Sequence, residues 1–493
     1  LHLAVVVDIC INQQFLISGL PMALFDLPRP DFLVSGEKAR LIPSVADTSR
    51  ECRITSILLA TLMSVEEFGK SMLGSLGVRV GKTSKIQCFT EVVFKGDAQN
   101  KIRPDGLIIV KTGGKEWRAI VESKIGKNEL DKAQVEAYLD LCKQFNIDAI
   151  VTISNHFVTD AKHHPLQFNK LKTRNVELCH WSWMYLVTEA IMWTNHYGVA
   201  DSDQGYILTE FVRYLQHPSS GILSFDRMST EWKNVATTIQ NGLTVNKTSP
   251  DVLESVNNWH QFVRSLSLEM SVAVGRTVTV ALRREYQNDP QKRIMEDCAS
   301  LTAGKLEAEL DVPNAASRIK FSADFMRRTI STSMRLKAPE DKVRAKARIN
   351  WLFSQIKNNA DDNLLVKVIW PSRTPDTSAT LGALKANADV VLSDKTDFPP
   401  VAFELIFTRD LAARFKGAQT FVQDAQSALL EFYEKTGQHL REWVPAPPKV
   451  SISNPTQVLD GTSEQQYTAA NEQENVAVET LPESVPEPVA VNE

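Results

Sequence analysis

Apolar residues recur at Ile54, Ile57/Leu58, Leu62, Val65, Phe68/Gly69, Met72 and Leu76, the spacing of one buried helical face. A single amphipathic helix is predicted over residues 48–76, with Thr48-Ser49-Arg50-Glu51 at capping-box spacing and Gly77 at its end. The pattern then changes to short strand-like runs, Cys88–Phe94, Ile102–Val110 and Trp117–Ile125. Asp97-Ala98-Gln99-Asn100 and Gly113-Gly114 supply the turns between them. A helical period returns from Asn128 to Phe145, followed by strands at Asp148–Ser154 and Val176–Leu178 and a Trp-rich helix over Ser182–His196. The order α-β-β-β-α-β predicts an α/β domain with a mixed sheet over residues 45–198.

Residues 199–341 read as mostly helical, with Val256, Trp259, Val263 and Leu266 along one side of Leu253–Leu268. A second, smaller α/β unit is predicted over 342–444. It comprises a helix at Val343–Lys357, strands at Leu364–Trp370, Asp389–Leu392 and Val401–Phe407, and a long helix ending at Lys435-Thr436-Gly437. Residues 445–493 are rich in Pro, Glu, Gln and Val without periodicity, the signature of a disordered tail. Residues 1–44 read as an N-terminal extension. The chain opens with Leu and its first methionine is Met22, so residues 1–21 are expected to be an upstream extension or a fragment edge. They lack the basic flank of a secretory signal.

The 493 residues, 43% hydrophobic and 23% charged, suffice for a core without disulfides or a structural metal and exclude collagen, a coiled-coil rod and a wholly disordered chain. No apolar run reaches the roughly 18 residues of a membrane helix, so no membrane partner is expected. Six scattered cysteines with no CxxC pair suit a reducing compartment, and a cytoplasmic location is expected.

Charge changes the picture more. The net charge of −4 includes eight acids and no Lys or Arg in residues 453–493, which leaves residues 1–452 at +4. Residues 81–135 are +4 by themselves, and residues 315–351 are +7. The second cluster (Arg318, Lys320, Arg327, Arg328, Arg335, Lys337, Lys342, Arg344, Lys346, Arg348) reads either as a phosphate-tracking surface or as a solvated helix face.

The strongest chemistry lies in the predicted hairpin. A two-residue turn at Gly113-Gly114 pairs Thr112 with Lys115, and the same register places Asp105 opposite Glu122, roughly 5 Å apart at Cβ. Glu122 and Lys124 share a sheet face, and Ala119, Val121 and Ser123 share the other. Two acids facing each other among Ile and Val residues are costly unless a cation neutralises them. Carboxylates plus water are the ligand set of Mg2+, with Mn2+ as the alternative ion. A metal there acidifies a bound water, and the lysine orients or deprotonates that water or neutralises a transition state.

Pro104-Asp105 followed by Glu122-Ser123-Lys124 within α-β-β-β-α-β resembles the PD-(D/E)xK, or restriction-endonuclease-like, nuclease superfamily. The resemblance implies Mg2+-dependent hydrolysis of phosphodiester bonds in DNA, with RNA as an alternative substrate and phage defence or mobile-element processing as a setting. It implies Asp105 and Glu122 as metal ligands and Lys124 as the catalytic lysine. Gln134 and Tyr138 match the Gln-x-x-x-Tyr element of RecB-like members, which would place them at the nucleic-acid end of the site; Tyr138 also fits the apolar stripe of its helix. A further acid would come from Glu51, also a helix cap, or from Glu91, also a strand residue sharing a face with Phe89 and Val93. Trp181, Trp183 and Trp193 read as core and His156 as a loop histidine. The competing interpretation is an inactive nuclease fold that serves as a nucleic-acid- or protein-binding scaffold.

Overall fold

The computed structural model describes residues 29–43, 50–95, 102–356, 360–392, 398–445 and 447. Residues 1–21, Thr48, the Asp97–Asn100 turn and nearly all of the acidic tail lie outside these residues. The first half of the chain runs β1 (Leu33–Lys38), α1 (Arg50–Ser64), α2 (Glu66–Ser75), β2 (Lys85–Phe94), β3 (Gly106–Thr112), β4 (Lys115–Ser123), α3 (Lys132–Phe145), β5 (Ala149–Ser154), β6 (Glu177–Ser182), α4 (Trp183–Met192) and α5 (Ser202–Gln216). The second half runs α6 (Thr230–Gln240), α7 (Pro250–Val274), β7 (Thr279–Val280), α8 (Arg284–Asn288), α9 (Pro290–Thr302), β8 (Lys305–Asp311), β9 (Ile319–Asp324), β10 (Thr329–Lys337), α10 (Ala345–Gln355), β11 (Leu365–Ile369), β12 (Thr377–Thr380), α11 (Leu381–Ala386), β13 (Ala402–Asp410) and α12 (Ala418–Lys435).

The fold is mixed α/β. Strands β1 to β6 form one sheet in sequence order. The β1–β4 pairings are antiparallel, and β4–β5 and β5–β6 are parallel, so the sheet is mixed as predicted. Helices α1, α2, α4 and α5 cover one face, where Ile54, Leu58, Val121, Val151, Trp181 and Trp183 are buried. Helix α3 covers the other, where Tyr138, Leu107, Ile120 and Ile150 are buried. The tryptophans Trp181 and Trp183 are core residues, as expected from their apolar surroundings.

Three departures from the sequence reading bear on the site. The predicted helix over 48–76 is two helices that break at Val65, whose backbone is extended (φ −112°, ψ 104°). The Glu66 N–H leaves the helix ladder and donates to Gln204 Oε1 at 2.9 Å. A Cβ on Gly69 would come within 2.3 Å of the Leu62 carbonyl, so the absence of a side chain there permits the sharp turn. Residues 33–38, expected within an extension, form edge strand β1. Helix α5, beyond the predicted boundary at 198, packs into the same core, with Phe211 edge-on to Phe68 at 5.8 Å.

The larger correction concerns residues 199–341. Helices α5–α9 do dominate up to Thr302, but the region also carries β7–β10, which join β11–β13 in one antiparallel sheet of order β12-β11-β13-β10-β9-β8-β7. The predicted boundary at 341/342 therefore cuts through a single sheet, because β10 pairs with β13 along its whole length. The predicted strand at Asp389–Leu392 is a 3₁₀ turn, Ala388–Val391, capped by the Asn387 side chain. The basic cluster of 315–351 is divided among β9, β10, α10 and the turns that join them rather than lying on one helix face. Arg318, Lys320, Lys337 and Lys346 meet Glu309, Glu307, Glu340 and Asp389, and Arg348 is buried on the carbonyls of Lys342 and Pro400.

No described helix is long and apolar enough to cross a membrane. Cys52, Cys88, Cys142, Cys179 and Cys298 are free thiols.

Candidate active site

The register predicted for the hairpin is the register observed. Thr112 pairs with Lys115, and the ladder continues to Gly106 opposite Val121. Asp105 lies one step beyond it. There its side chain takes over from the backbone, as the Ser123 N–H donates to Asp105 Oδ2 at 2.8 Å. The adjoining glycine makes this possible: a Cβ on Gly106 would sit 2.6 Å from Leu59 of α1. The missing side chain lets the strand start close against α1.

Glu122 alternates with Val121 and Ser123, so it faces α3 with Ile120. It is only 1% exposed. Lys124 Nζ donates to its Oε1 at 2.5 Å, and Tyr138 donates to its Oε2 at 2.7 Å. Gln134 Nε2 donates to the Tyr138 oxygen at 2.8 Å. Gln134 and Tyr138, one turn apart on α3, therefore reach the site as an ordered pair. Tyr138 serves both readings of its sequence position, with its ring in the core and its hydroxyl on Glu122.

Glu51, in the first turn of α1, reaches across to the β4–α3 loop. Its Oε1 accepts from the Ile125 N–H at 3.1 Å and from Asn128 at 2.8 Å, and its Oε2 lies 3.9 Å from Lys124 Nζ. It is thus part of the cluster. Glu91 is adjacent but differently engaged. Its backbone is left-handed (φ 54°), an unusual state for Glu at a bulge in β2. The extra residue breaks the alternation, so Val92 rather than Val93 joins Phe89 in the core facing α3. The Glu91 carboxylate pairs with Arg103 and accepts from the Cys52 thiol at 2.8 Å, while its N–H donates to the Asp105 carbonyl at 3.1 Å. It braces the start of β3 rather than facing Glu122. Burial and the neighbouring Glu91 push the Cys52 thiol up to about 12, so it remains a donor.

The electrostatics follow from this packing. Burial, reinforced by the charge of Glu122, pushes Asp105 up to about 7, against the pull of the Ser123 N–H and Lys124. Burial works against the Lys124 ammonium, but its hydrogen bond to Glu122 and the charges of Glu122, Asp105 and Glu51 outweigh it and raise its pKa. Burial and Glu122 also hold the Tyr138 hydroxyl well above its ordinary range. Lys124 is therefore a cation and Tyr138 a proton donor. Deprotonation of a water by Lys124, one of its expected roles, is disfavoured here.

Once Asp105 is ionised, three acids face one ammonium, an excess of negative charge. Among the described residues no group of three or more His, Cys, Asp or Glu side chains is arranged to hold a metal ion. The donor set suits an ion bound through one or two carboxylates with waters completing its shell, which is the habit of Mg2+.

Several supporting roles were not read from the sequence. Trp183 Nε1 donates to the Lys124 carbonyl at 2.9 Å, fixing the end of β4, and the Ser123 hydroxyl meets that of Thr55 of α1. On the next strand Thr152 pairs with Glu122 and touches His164 and His180 at 2.9 and 2.8 Å. His180 Nε2 faces the His156 carbonyl and so carries the proton, which leaves its Nδ1 to accept from Thr152 and the Thr152 oxygen to accept from His164 Nε2; His164 Nδ1 lies beside both the N–H and the carbonyl of Leu166. His164 thus donates to Thr152 and Thr152 to His180, so both rings are satisfied as neutral imidazoles. Only the clustering of three His beyond β5 could have drawn attention to them.

Compared with known proteins, the chain matches no family model, and no curated protein or solved structure matches it significantly.

Proposed function

We propose that the chain is a Mg2+-dependent nuclease of restriction-endonuclease-like arrangement that hydrolyses phosphodiester bonds in DNA. The observation that carries this reading is the convergence of Asp105, Glu122 and Lys124 at one end of β3 and β4, with Gln134 and Tyr138 ordered behind Glu122. Asp105 and Glu122 would hold the ion through carboxylate oxygens. Bound there, Mg2+ would lower the pKa of a water and offset charge on the phosphate.

The remaining work falls to this chain. Lys124 keeps its proton and places positive charge where a five-coordinate phosphorus would gather negative charge. Tyr138 fixes one Glu122 oxygen and leaves the other to Lys124, so the carboxylate cannot rotate freely. Glu51 anchors Ile125 and Asn128 and so shapes the loop that carries exposed Lys127, a phosphate contact.

One observation favours the second reading, a binding protein that keeps the fold without turnover. Both Glu122 oxygens are already satisfied by protein donors. The two readings separate in one assay. Plasmid, single-stranded DNA and RNA are incubated with Mg2+ or EDTA, using wild type, Asp105→Ala and Lys124→Ala. The proposal expects cleavage that needs Mg2+ and falls at least about a hundredfold in each variant. Binding without Mg2+-dependent cleavage would support the scaffold instead, and cleavage untouched by either substitution would refute the site.

A further inference from the structure

A pair of buried hydroxyls links α1 to Asp105. Thr55 and Ser123 are both fully buried, and they belong to the same core face as Ile54, Leu58, Leu59 and Val121. A hydroxyl in such surroundings is costly unless it is bonded. The Thr55 and Ser123 oxygens lie 2.5 Å apart; Thr55 Oγ1 also lies 2.7 Å from the Glu51 carbonyl, and Ser123 Oγ lies 3.3 Å from Asp105 Oδ2.

Two hydroxyl protons serve three contacts, and the 2.5 Å contact between the oxygens must hold one of them, so two arrangements exist. In one, Thr55 donates to the Glu51 carbonyl and Ser123 to Thr55. In the other, Thr55 donates to Ser123 and Ser123 to Asp105. A negative charge on Asp105 favours the second, because a hydrogen bond to an ionised acceptor is roughly twice as strong as a neutral one. Asp105 then receives two donors from Ser123, its N–H and its hydroxyl, both on the same oxygen.

Resting on the metal-dependent reading above, we propose that Thr55 and Ser123 are positioning residues for the metal-holding carboxylate of Asp105. They turn Oδ2 toward β4 and leave Oδ1 for the ion. Thr55 touches neither metal nor substrate and acts through Ser123. The same helix carries Glu51 one turn earlier, so α1 sets the orientation of Asp105 and the path of the β4–α3 loop together.

The test uses the full chain without nucleic acid and Mn2+ as the probe, with affinity read by titration calorimetry and by the Mn2+ paramagnetic resonance signal. Thr55→Val keeps the shape and removes the hydroxyl; Thr55→Ser restores it. Asp105→Ala identifies the site. Mn2+ affinity is expected to fall about tenfold to a hundredfold in Thr55→Val and to return to within about threefold of wild type in Thr55→Ser. Ser123→Ala is expected to follow Thr55→Val, and circular dichroism checks folding. Wild-type affinity in a folded Thr55→Val overturns the proposal, and so does an equal loss in Thr55→Ser. Mn2+ binding lost in Asp105→Ala but unaccompanied by DNA cleavage in wild type would sink the nuclease reading and leave the positioning role standing. A wild type that binds no Mn2+ would sink both.

Discussion

The two sheets treat charge in opposite ways. In the seven-stranded sheet Glu307 and Glu309 stand at exposed positions of β8 and meet Lys305, Lys320 and Arg318 in contact with water. Beneath them the core is aromatic, with Trp232, Trp259 and Phe321 stacked. In the six-stranded sheet a carboxylate is almost wholly buried at the end of β4, and a second, next to a glycine that admits α1, is held on the neighbouring Ser123 N–H. The first arrangement costs the fold little. The second weakens it, because like charges are held together away from water. Charge placed against the interest of stability marks where chemistry is expected.

The contrast can be broken most sharply at Asp105. Asp105→Asn is expected to lose Mg2+-dependent cleavage by on the order of a thousandfold, yet to raise the urea midpoint of the metal-free protein at pH 8. An unchanged or lowered midpoint would show that Asp105 is not a destabilising charge. Tyr138→Phe comes next. It leaves the ring in place and removes the donor to Glu122, so cleavage should fall about tenfold to a hundredfold while the fold persists.

The pH dependence sharpens the same comparison. Folded Asp105 keeps its proton to about pH 7, whereas the unfolded chain releases it in the ordinary carboxylate range. The unfolded state therefore binds fewer protons between these values, and this contribution to stability falls as pH rises through that window. In urea titrations the excess stability of Asp105→Asn over wild type should grow from about pH 4 to about pH 7 and then level off. His164 and His180 act in the opposite direction. Burial depresses His164 to about 4 and holds His180 well below the ordinary imidazole range. The unfolded chain gains protons as pH falls below about 6.5 while the folded chain refuses them, so stability drops on acidification in both proteins. The smallest effect is expected in the other sheet: Arg318→Ala should change stability by no more than about 1 kcal/mol and leave cleavage untouched.

The part of the site that sequence made legible is the part governed by strict periodicity. A two-residue Gly-Gly turn leaves one register, and that register put Asp105 beside Glu122 and Lys124 on the face of Glu122. The four-residue spacing of Gln134 and Tyr138 placed them on one helical face for the same reason. Glu91 departs from its expected face because a bulge inserts a residue and resets the alternation. The break at Val65 was hidden because apolar periodicity continues across it, and only the close approach of Leu62 and Gly69 reveals it. The strands of 305–337 are legible in the pattern. Lys305–Asp311 alternates polar and apolar residues without interruption, the two-residue period of a half-buried strand. Trp183 and Thr55 support the site through contacts between elements far apart in sequence, which no local pattern encodes.

The most direct test of the central claim is a crystal structure of the chain soaked in Mn2+, with anomalous data collected at the manganese edge. The account predicts one strong peak between the Asp105 and Glu122 carboxylates, with Lys124 Nζ released from Glu122 Oε1 and Tyr138 retained on Oε2. A peak held elsewhere, or Glu122 still clasped by Lys124 with no ion beside Asp105, would contradict it.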